Sequence, residues 1–312
     1  MALSACVGLA GCGGHILNGA GATFPAPLYQ RWFQELAASG IRVNYQSVGS
    51  ATGVRQFIAG TLDFAASDVP LKPEEVAAVR RGVHQIPMTA GTIALAYNHS
   101  GCSLSLSQEQ LAAIFLGRIR DFSQLGCGSQ PITVVHRSDG SGTTANFTAH
   151  LSAISPVWRT GPGSGKSVSW PAGVGAKGNE GVAAQVSQIK GGIGYVETAY
   201  VRGNLQAARL TNAAGQSLAP STAHAQRALA SIRLGADLTG ADPNPAEGYP
   251  IVNYTWILLY ARGNGPRLET IRRVFAHALS EQAQAEAPSL GYVNLPASVV
   301  AQARAVLSTL TP

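Results

Sequence analysis

Short apolar segments with a two-residue period alternate along this chain with longer segments whose apolar residues recur every three to four positions. That alternation restricts the fold more than any other feature of the sequence. Residues 41–48, IRVNYQSV, alternate apolar and polar side chains as a strand does. Residues 26–39, APLYQRWFQELAAS, put Leu28, Tyr29, Trp32, Phe33 and Leu36 on one helical face. In 104–119, LSLSQEQLAAIFLGRI, Ser107 is placed to cap a helix with Gln110 three residues on, Leu111, Ile114 and Phe115 inward, and Gly117 as the stop. A further helix is expected from Pro73, with Glu74 and Glu75 in its first turn and Arg80 and Arg81 in its last. GGIGYVE (191–197) and TWILLYA (255–261) read as buried strands. Such a chain predicts α/β architecture with largely parallel sheets. Its 312 residues suffice for two domains or one large one. No internal repeat is visible, and no run of 18 apolar residues predicts a membrane span in the body of the chain.

Charge narrows the function classes. Only 12% of residues are charged, against roughly 25% in an average soluble domain. The net charge of +6 is spread thinly, with no basic block and no aromatic–basic interleaving. Nucleic acid is therefore not an expected partner. The seven histidines are scattered without ligand spacing, so neither a metal nor a cofactor is expected.

Two glycine-rich stretches look like nucleotide motifs and fail on counting. GAGATF (19–24) has Phe24 where a dinucleotide fingerprint needs its last glycine, and GPGSGKS (161–167) has Thr160 where a phosphate loop needs its first.

Three other segments share one design: GATFPAP (21–27), VGSATGV (48–54) and DGSGTTA (139–145) put small or hydroxyl residues immediately before a helix. Amides at a helix start have no intrahelical partner and carry partial positive charge, so several converging on one point form a pocket for a small oxyanion. Arg137 adds a planar cationic fork suited to two oxygens of a tetrahedral guest. Each segment alone is as well explained by ordinary N-capping, and Arg137 with Asp139 by a surface ion pair. Asp68, which ends the apolar strand TLDFAAS, is out of place beside an anion unless that anion carries a proton. A buried carboxylate accepts a hydrogen bond from an acidic OH and repels a fully ionised analogue. Asp68 as a helix cap or turn residue before Pro70 is the alternative.

These residues lie in motifs that resemble the phosphate-binding proteins of bacterial phosphate ABC transporters: GAGATFPAPLYQRW, VNYQSVGSATGVRQFIAGTLDFAASDVPL, RSDGSGTT, WPAGVGAKGNEGV and GGIGYVE. The likeness runs from about Leu17 to near the C-terminus. It implies a two-lobed periplasmic-binding-protein fold (type II) in which two mixed sheets flanked by helices are joined by hinge strands, with the ligand in the cleft between lobes. Lobe one would comprise 13–95 and 254–312, and lobe two 96–253, with crossings near Ala94–Asn98 and Tyr249–Thr255. Thr23, the amide of Phe24, Ser50 and Asp68 would hold phosphate from one lobe. Arg137, Ser141, the amide of Gly142 and Thr143 would close over it from the other, with Asp139 orienting Arg137. Ala51-Thr52 after Ser50 departs from the Ser or Gly often found there.

The implied function is high-affinity binding of inorganic phosphate and its delivery to the permease subunits and ATPase of a transporter, by a monomer that is not an enzyme. A phosphatase using Ser141 is the rival, although DGSG lacks the nucleophile elbow because Asp139 occupies its first glycine position. A phosphate sensor or store is a third reading. Leu9-Ala10-Gly11-Cys12 matches a lipoprotein cleavage box, so 1–12 are read as a truncated lipoprotein signal with Cys12 lipid-bearing. The expected location is the periplasm or the outer face of the cytoplasmic membrane. In such an oxidising compartment Cys102 and Cys127 are expected to form a disulfide, two free thiols being the alternative.

Overall fold

A computed structural model describes residues 16–312; the signal and Cys12 lie outside the described residues. In chain order the first elements are β1 (Leu17–Gly21), α1 (Ala26–Ala37), β2 (Val43–Ser47), α2 (Ser50–Ile58), β3 (Phe64–Ser67) and α3 (Pro73–Ala78). The long β4 (Val83–Tyr97) leads to β5 (Ser105–Leu106), α4 (Gln108–Phe115), β6 (Thr133–Arg137), α5 (Gly142–Ile154) and α6 (Pro156–Thr160). Next come β7 (Val174–Ala176), α7 (Gly178–Gln188), β8 (Gly192–Glu197), β9 (Gln206–Ala207), β10 (Arg209–Thr211), β11 (Ser217–Leu218) and α8 (Thr222–Leu229). The chain closes with β12 (Val252–Tyr260), α9 (Leu268–Ala278), α10 (Glu281–Glu286) and α11 (Ala297–Ser308).

One sheet organises the molecule, in the order β2-β1-β3-β12-β4-β8-β6-β7, with β9 also on β4. Its flanks are parallel, β2-β1-β3 at one end and β8-β6-β7 at the other. Its middle is antiparallel, because β12 runs against both β3 and β4, and β4 against β8. The sheet is thus mixed where alternation alone suggested parallel. The chain must cross between its two ends, and β4 and β12 are the strands that carry it.

β4 serves both ends. Its residues 83–92 pair with β12 and its residues 93–97 pair with β8. The β1–β3 and β12 end of the sheet, with α1–α3 and α9–α11, is here the first half, and the β6–β8 end, with α4–α7, the second; α8 packs on the central strands β4 and β12. The register between β4 and β12 slips by one residue at Thr255/Trp256, where Trp256 pairs with Pro87 and Thr255 with Thr89. Pro87 has no N–H to give the ladder, and a bulge of this kind turns the local side chains.

The sequence reading of the helices holds at most positions. α1 buries Leu28, Tyr29, Trp32, Phe33 and Leu36, and Ser107 with Gln110 forms the capping box that starts α4. α3 ends sooner than expected, at Ala78, leaving Arg80 and Arg81 outside it. The chain turns at Gly82 into β4 instead, and Arg81 is held by stacking on the Tyr260 ring and by donating to Gly263 O. Cys102 and Cys127 are bonded, with Cα atoms 5.4 Å apart. Closing a loop of that length stabilises the fold by about 3–4 kcal/mol.

Candidate functional site

Five strand-to-helix turns deliver the site: β1 to α1, β2 to α2, β3 to α3, β6 to α5 and β7 to α7. Open α/β sheets bind ligands beyond the carboxyl ends of their strands, where such turns gather. Thr23 lies in the first turn and Ser50 opens α2. Asp68 follows the last residue of β3, and Arg137 ends β6. Ser141 caps α5, its hydroxyl accepting from the Thr144 amide at 3.1 Å, and Gly142 and Thr143 are that helix's first residues. All of these side chains are buried, Arg137 included at 4% exposure.

The expected residues come together across the boundary between the halves. Ser50 Oγ accepts from the amide of Gly142 at 3.2 Å. Thr143 Oγ1 stands 3.5 Å from Asp68 Oδ2, and Asn146 Nδ2 donates to Asp68 O at 2.7 Å. Phe24 belongs to the same turn as Thr23, with its ring buried and its carbonyl accepting from Tyr292 Oη at 2.7 Å. The halves touch by backbone as well, Ala51 N donating to Gly140 O at 3.0 Å.

Close approach explains two glycines. Gly49 has φ +89°, and a Cβ there would stand 2.4 Å from Asp139 Oδ2. Gly142 has a helical backbone, yet its Cβ would stand 2.7 Å from both Asp68 Cβ and Ser50 Oγ.

Arg137 is fixed from one side and open on the other. Its Nε donates to Asp139 Oδ1 at 2.7 Å and its Nη2 to Oδ2 at 2.5 Å. Nη1 is buried with no hydrogen-bond partner. A guanidinium donor left unpaired in the interior costs about 1–3 kcal/mol or more, so an unpaired buried one marks a place for an acceptor. Burial would raise Asp139's pKa, but Arg137 and the Gly178 amide, donating at 3.0 Å, hold it below the ordinary carboxylate value.

Asp68 behaves oppositely. Burial pushes its pKa up to about 7, against the lowering effects of a hydrogen bond from Thr255, the charge of Arg137, and the Thr143 and Ser50 hydroxyls. A carboxyl that titrates near neutrality can hold a proton or accept one at little cost.

Several residues in the constellation escaped the sequence reading. Asn179 Nδ2 donates to Thr23 Oγ1 at 2.7 Å and to Thr143 Oγ1 at 3.2 Å, so one fully buried amide ties the halves together. Its Oδ1 accepts from the Glu197 amide at 2.8 Å. The stretch GAKGNEGV was visible, but a lone Asn behind a glycine reads as a turn. Tyr195 Oη accepts from the Arg137 amide at 3.0 Å and pairs with Thr144 Oγ1 at 2.6 Å, and it came from what looked like pure strand. Thr255, inside an equally apolar strand, donates to Asp68 Oδ1 at 2.9 Å. His136, the histidine next to Arg137, is a β6 residue whose ring stacks on Trp170 with centroids 4.9 Å apart. Among the described residues no group of three or more His, Cys, Asp or Glu gathers to hold a metal ion.

This geometry can be set beside known proteins. A sequence profile described as a PBP superfamily domain matches residues 10–283. The phosphate-binding protein PstS of Pasteurella multocida (strain Pm70) is 40% identical over 94% of this chain and 90% of its own. The chain belongs to the phosphate-binding protein family of the PBP superfamily. Another relative, PstS of Xylella fastidiosa (strain Temecula1 / ATCC 700964), is 39% identical over 93% of this chain and 84% of its own. Among solved structures, a high-affinity periplasmic phosphate-binding protein, PfluDING, bound with phosphate at pH 8.5, superposes with a TM-score of 0.79. It is 25% identical, with 93% of both chains covered. Like the expected architecture, this family member is a mixed α/β protein.

One ion pair also links the two halves. Lys166 Nζ lies 3.1 Å from Glu75 Oε1, linking the loop after α6 to α3. The same lysine's carbonyl accepts from the Ser141 amide at 2.8 Å, so the pair is coupled to the start of α5.

Proposed function

We propose that this chain is a receptor that captures inorganic phosphate between its two halves and passes it to the permease subunits and ATPase of a phosphate ABC transporter. Phosphate binding and transport are the functions of the family to which it belongs. The observation that carries the reading in this chain is that Asp68, a buried carboxyl titrating near neutrality, shares the site with the charge of Arg137, whose buried Nη1 is unpartnered. The amides and guanidinium supply donors to the oxygens of the guest, and Asp68 handles the one hydrogen that phosphate retains near neutral pH. Only a single proton has to lie between carboxyl and ligand, whichever of the two brings it.

The proposed ligand set is Thr23, the Phe24 amide, Ser50, Asp68, Arg137, Ser141, the Gly142 amide and Thr143, with Asp139 holding Arg137 in place. Lobe one takes 13–95 and 254–312, and lobe two takes 96–253. The chain acts as an exported monomer, anchored through Cys12, and performs no catalysis. Ser141 supports that last point: its hydroxyl caps α5, and the nearest histidine, His136, bonds its Nδ1 to the Arg137 carbonyl.

Titration calorimetry at pH 8 tests the reading. Phosphate binding tighter than sulfate binding is the expected result, with the gap widening about tenfold per pH unit above 7, because sulfate brings no hydrogen and the carboxyl must then take one up itself. Comparable affinities for the two anions would remove Asp68 from its role.

The Lys166–Glu75 pair gives a smaller effect. Glu75→Gln keeps the acceptor that receives the Lys72 amide in the capping box but loses the charge facing Lys166. Phosphate release measured by stopped flow should speed up about 2–5-fold at low ionic strength, the range of a partly exposed ion pair, and the difference should fade in high salt. A release rate equal to wild type at low salt would mean that the pair does not hold the closed state.

A further inference from the structure

The two oxygens of Asp68 are not equivalent. Oδ1 accepts a 2.9 Å hydrogen bond from Thr255, whereas Oδ2 has only Thr143 Oγ1 at 3.5 Å, a contact too long to fix a hydrogen. Thr255 is fully buried and sits at the one-residue slip between β12 and β4, next to Trp256, which pairs with Ser67 on β3. The bulge thus sets Thr255 beside the residue that follows β3. Behind it stands Tyr29 of α1, whose hydroxyl is buried without a hydrogen-bond partner and feels both the Thr255 side chain and the charge of Asp68.

We propose that Thr255 is a positioning residue that occupies Oδ1 of Asp68, leaves Oδ2 for the ligand's proton, and thereby determines discrimination between phosphate and sulfate. The inference rests on the reading of this site as a phosphate site and assigns it a determinant outside the proposed ligand set.

A threonine hydroxyl has one hydrogen, and an ionised carboxylate is the stronger claimant on it. Given to Oδ1, that hydrogen stabilises the charged form, which can accept from P–OH. Without it, burial goes less opposed and Asp68 keeps its own proton to higher pH. A neutral carboxyl donates to any tetrahedral oxyanion, so sulfate becomes an acceptable guest. The other groups acting on Asp68 leave this balance to Thr255. Arg137 of β6 supplies the opposing charge. Tyr29, Tyr45 of β2, Tyr200 after β8 and Tyr292 before α11 each couple to Asp68, and burial keeps all four neutral. Thr143 and Ser50 contribute weaker hydroxyl contacts.

The test is a titration of purified wild-type, Thr255→Val, Thr255→Ala and Thr255→Ser proteins with phosphate and with sulfate, from pH 5 to pH 9. In the wild type, sulfate binding should appear only on the acidic side of the range. In the valine and alanine variants its onset should move up by about one pH unit or more, and the phosphate-to-sulfate affinity ratio at pH 8 should fall at least about tenfold. Serine, which restores the hydroxyl, should return both to wild type. An unmoved onset in folded valine or alanine protein overturns the proposal. A serine variant that behaves like valine does so too, because packing and not the hydroxyl would then be at work. Should valine and alanine both fail to give a cooperative melt, Thr255→Cys carries the test: a thiol of serine's shape is a weaker donor, so a smaller shift in the same direction is expected and no shift overturns the proposal. Wild-type protein that binds no phosphate would defeat the underlying reading of the site instead.

Discussion

Replacing Asp68 by asparagine should make the anion-free protein more stable at pH 8 and abolish its choice between phosphate and sulfate. The stability gain follows from the position of the titration. The carboxyl has an ordinary value of 3.8 and is raised to about 7 by burial in the folded chain. Between those pH values the native state retains a proton that the unfolded chain has released, so stability falls as pH climbs from about 4 to about 7 and stays low above. Three pKa units correspond to a loss of up to about 4 kcal/mol. Asparagine cannot ionise and escapes that loss while still accepting from Thr255. Thermal melts should show the variant higher by several degrees at pH 8 and level with wild type near pH 4. Selectivity should collapse at the same time, the phosphate-to-sulfate ratio losing its rise with pH above about 7, since an amide can donate to either anion at any pH. Arg137→Ala, in contrast, should weaken both anions and relax their ratio less than Asp68→Asn does, although loss of its charge also lets Asp68 keep its proton to higher pH. A variant whose melting temperature falls at pH 8, or which still excludes sulfate, would contradict the account of Asp68.

Gly142→Ala should spare the fold and cripple binding. The backbone of Gly142 is already helical, and alanine at a helix position is favoured over glycine by up to about 1 kcal/mol. The new methyl would stand 2.7 Å from Asp68 Cβ, 2.7 Å from Ser50 Oγ and 3.0 Å from the Asp68 amide. None of these is the loose end of a long side chain, so the halves must part to admit it. Overpacking of this kind costs about 1–3 kcal/mol, which lowers phosphate affinity by about 10–100-fold. Calorimetry should register that loss while the melting temperature without anion stays level or rises. Undiminished affinity would mean that the halves do not meet this closely around the ligand.

What the sequence disclosed follows from the range over which each signal acts. Helix starts are local: Ser107 with Gln110, or Ser141 before Gly142-Thr143, are written within four residues, and the structure puts a helix at each. Strand type was equally plain for GGIGYVE and TWILLYA. Asp68 and Arg137 stood out because charged residues are conspicuous in a chain with so few of them, whereas Thr23 and Ser50 were singled out within their turns only by the family resemblance. Asn179 and Thr255 were hidden for the opposite reason. Their partners are 156 and 187 positions away, and nothing in KGNEG or TWILLYA separates a polar group aimed at a distant side chain from one that satisfies its own backbone. The early end of α3 has a similar origin: Arg81 is drawn to Tyr260, a partner that only the fold brings near.

The strand shared by both halves has a thermodynamic consequence. Residues 83–92 of β4 complete one hydrogen-bonded ladder and residues 93–97 another, so neither half possesses its central ribbon independently. Excising either one would strip the other's innermost strand of its neighbour. The two halves are therefore expected to melt together, with calorimetry giving one transition whose heat belongs to the whole polypeptide.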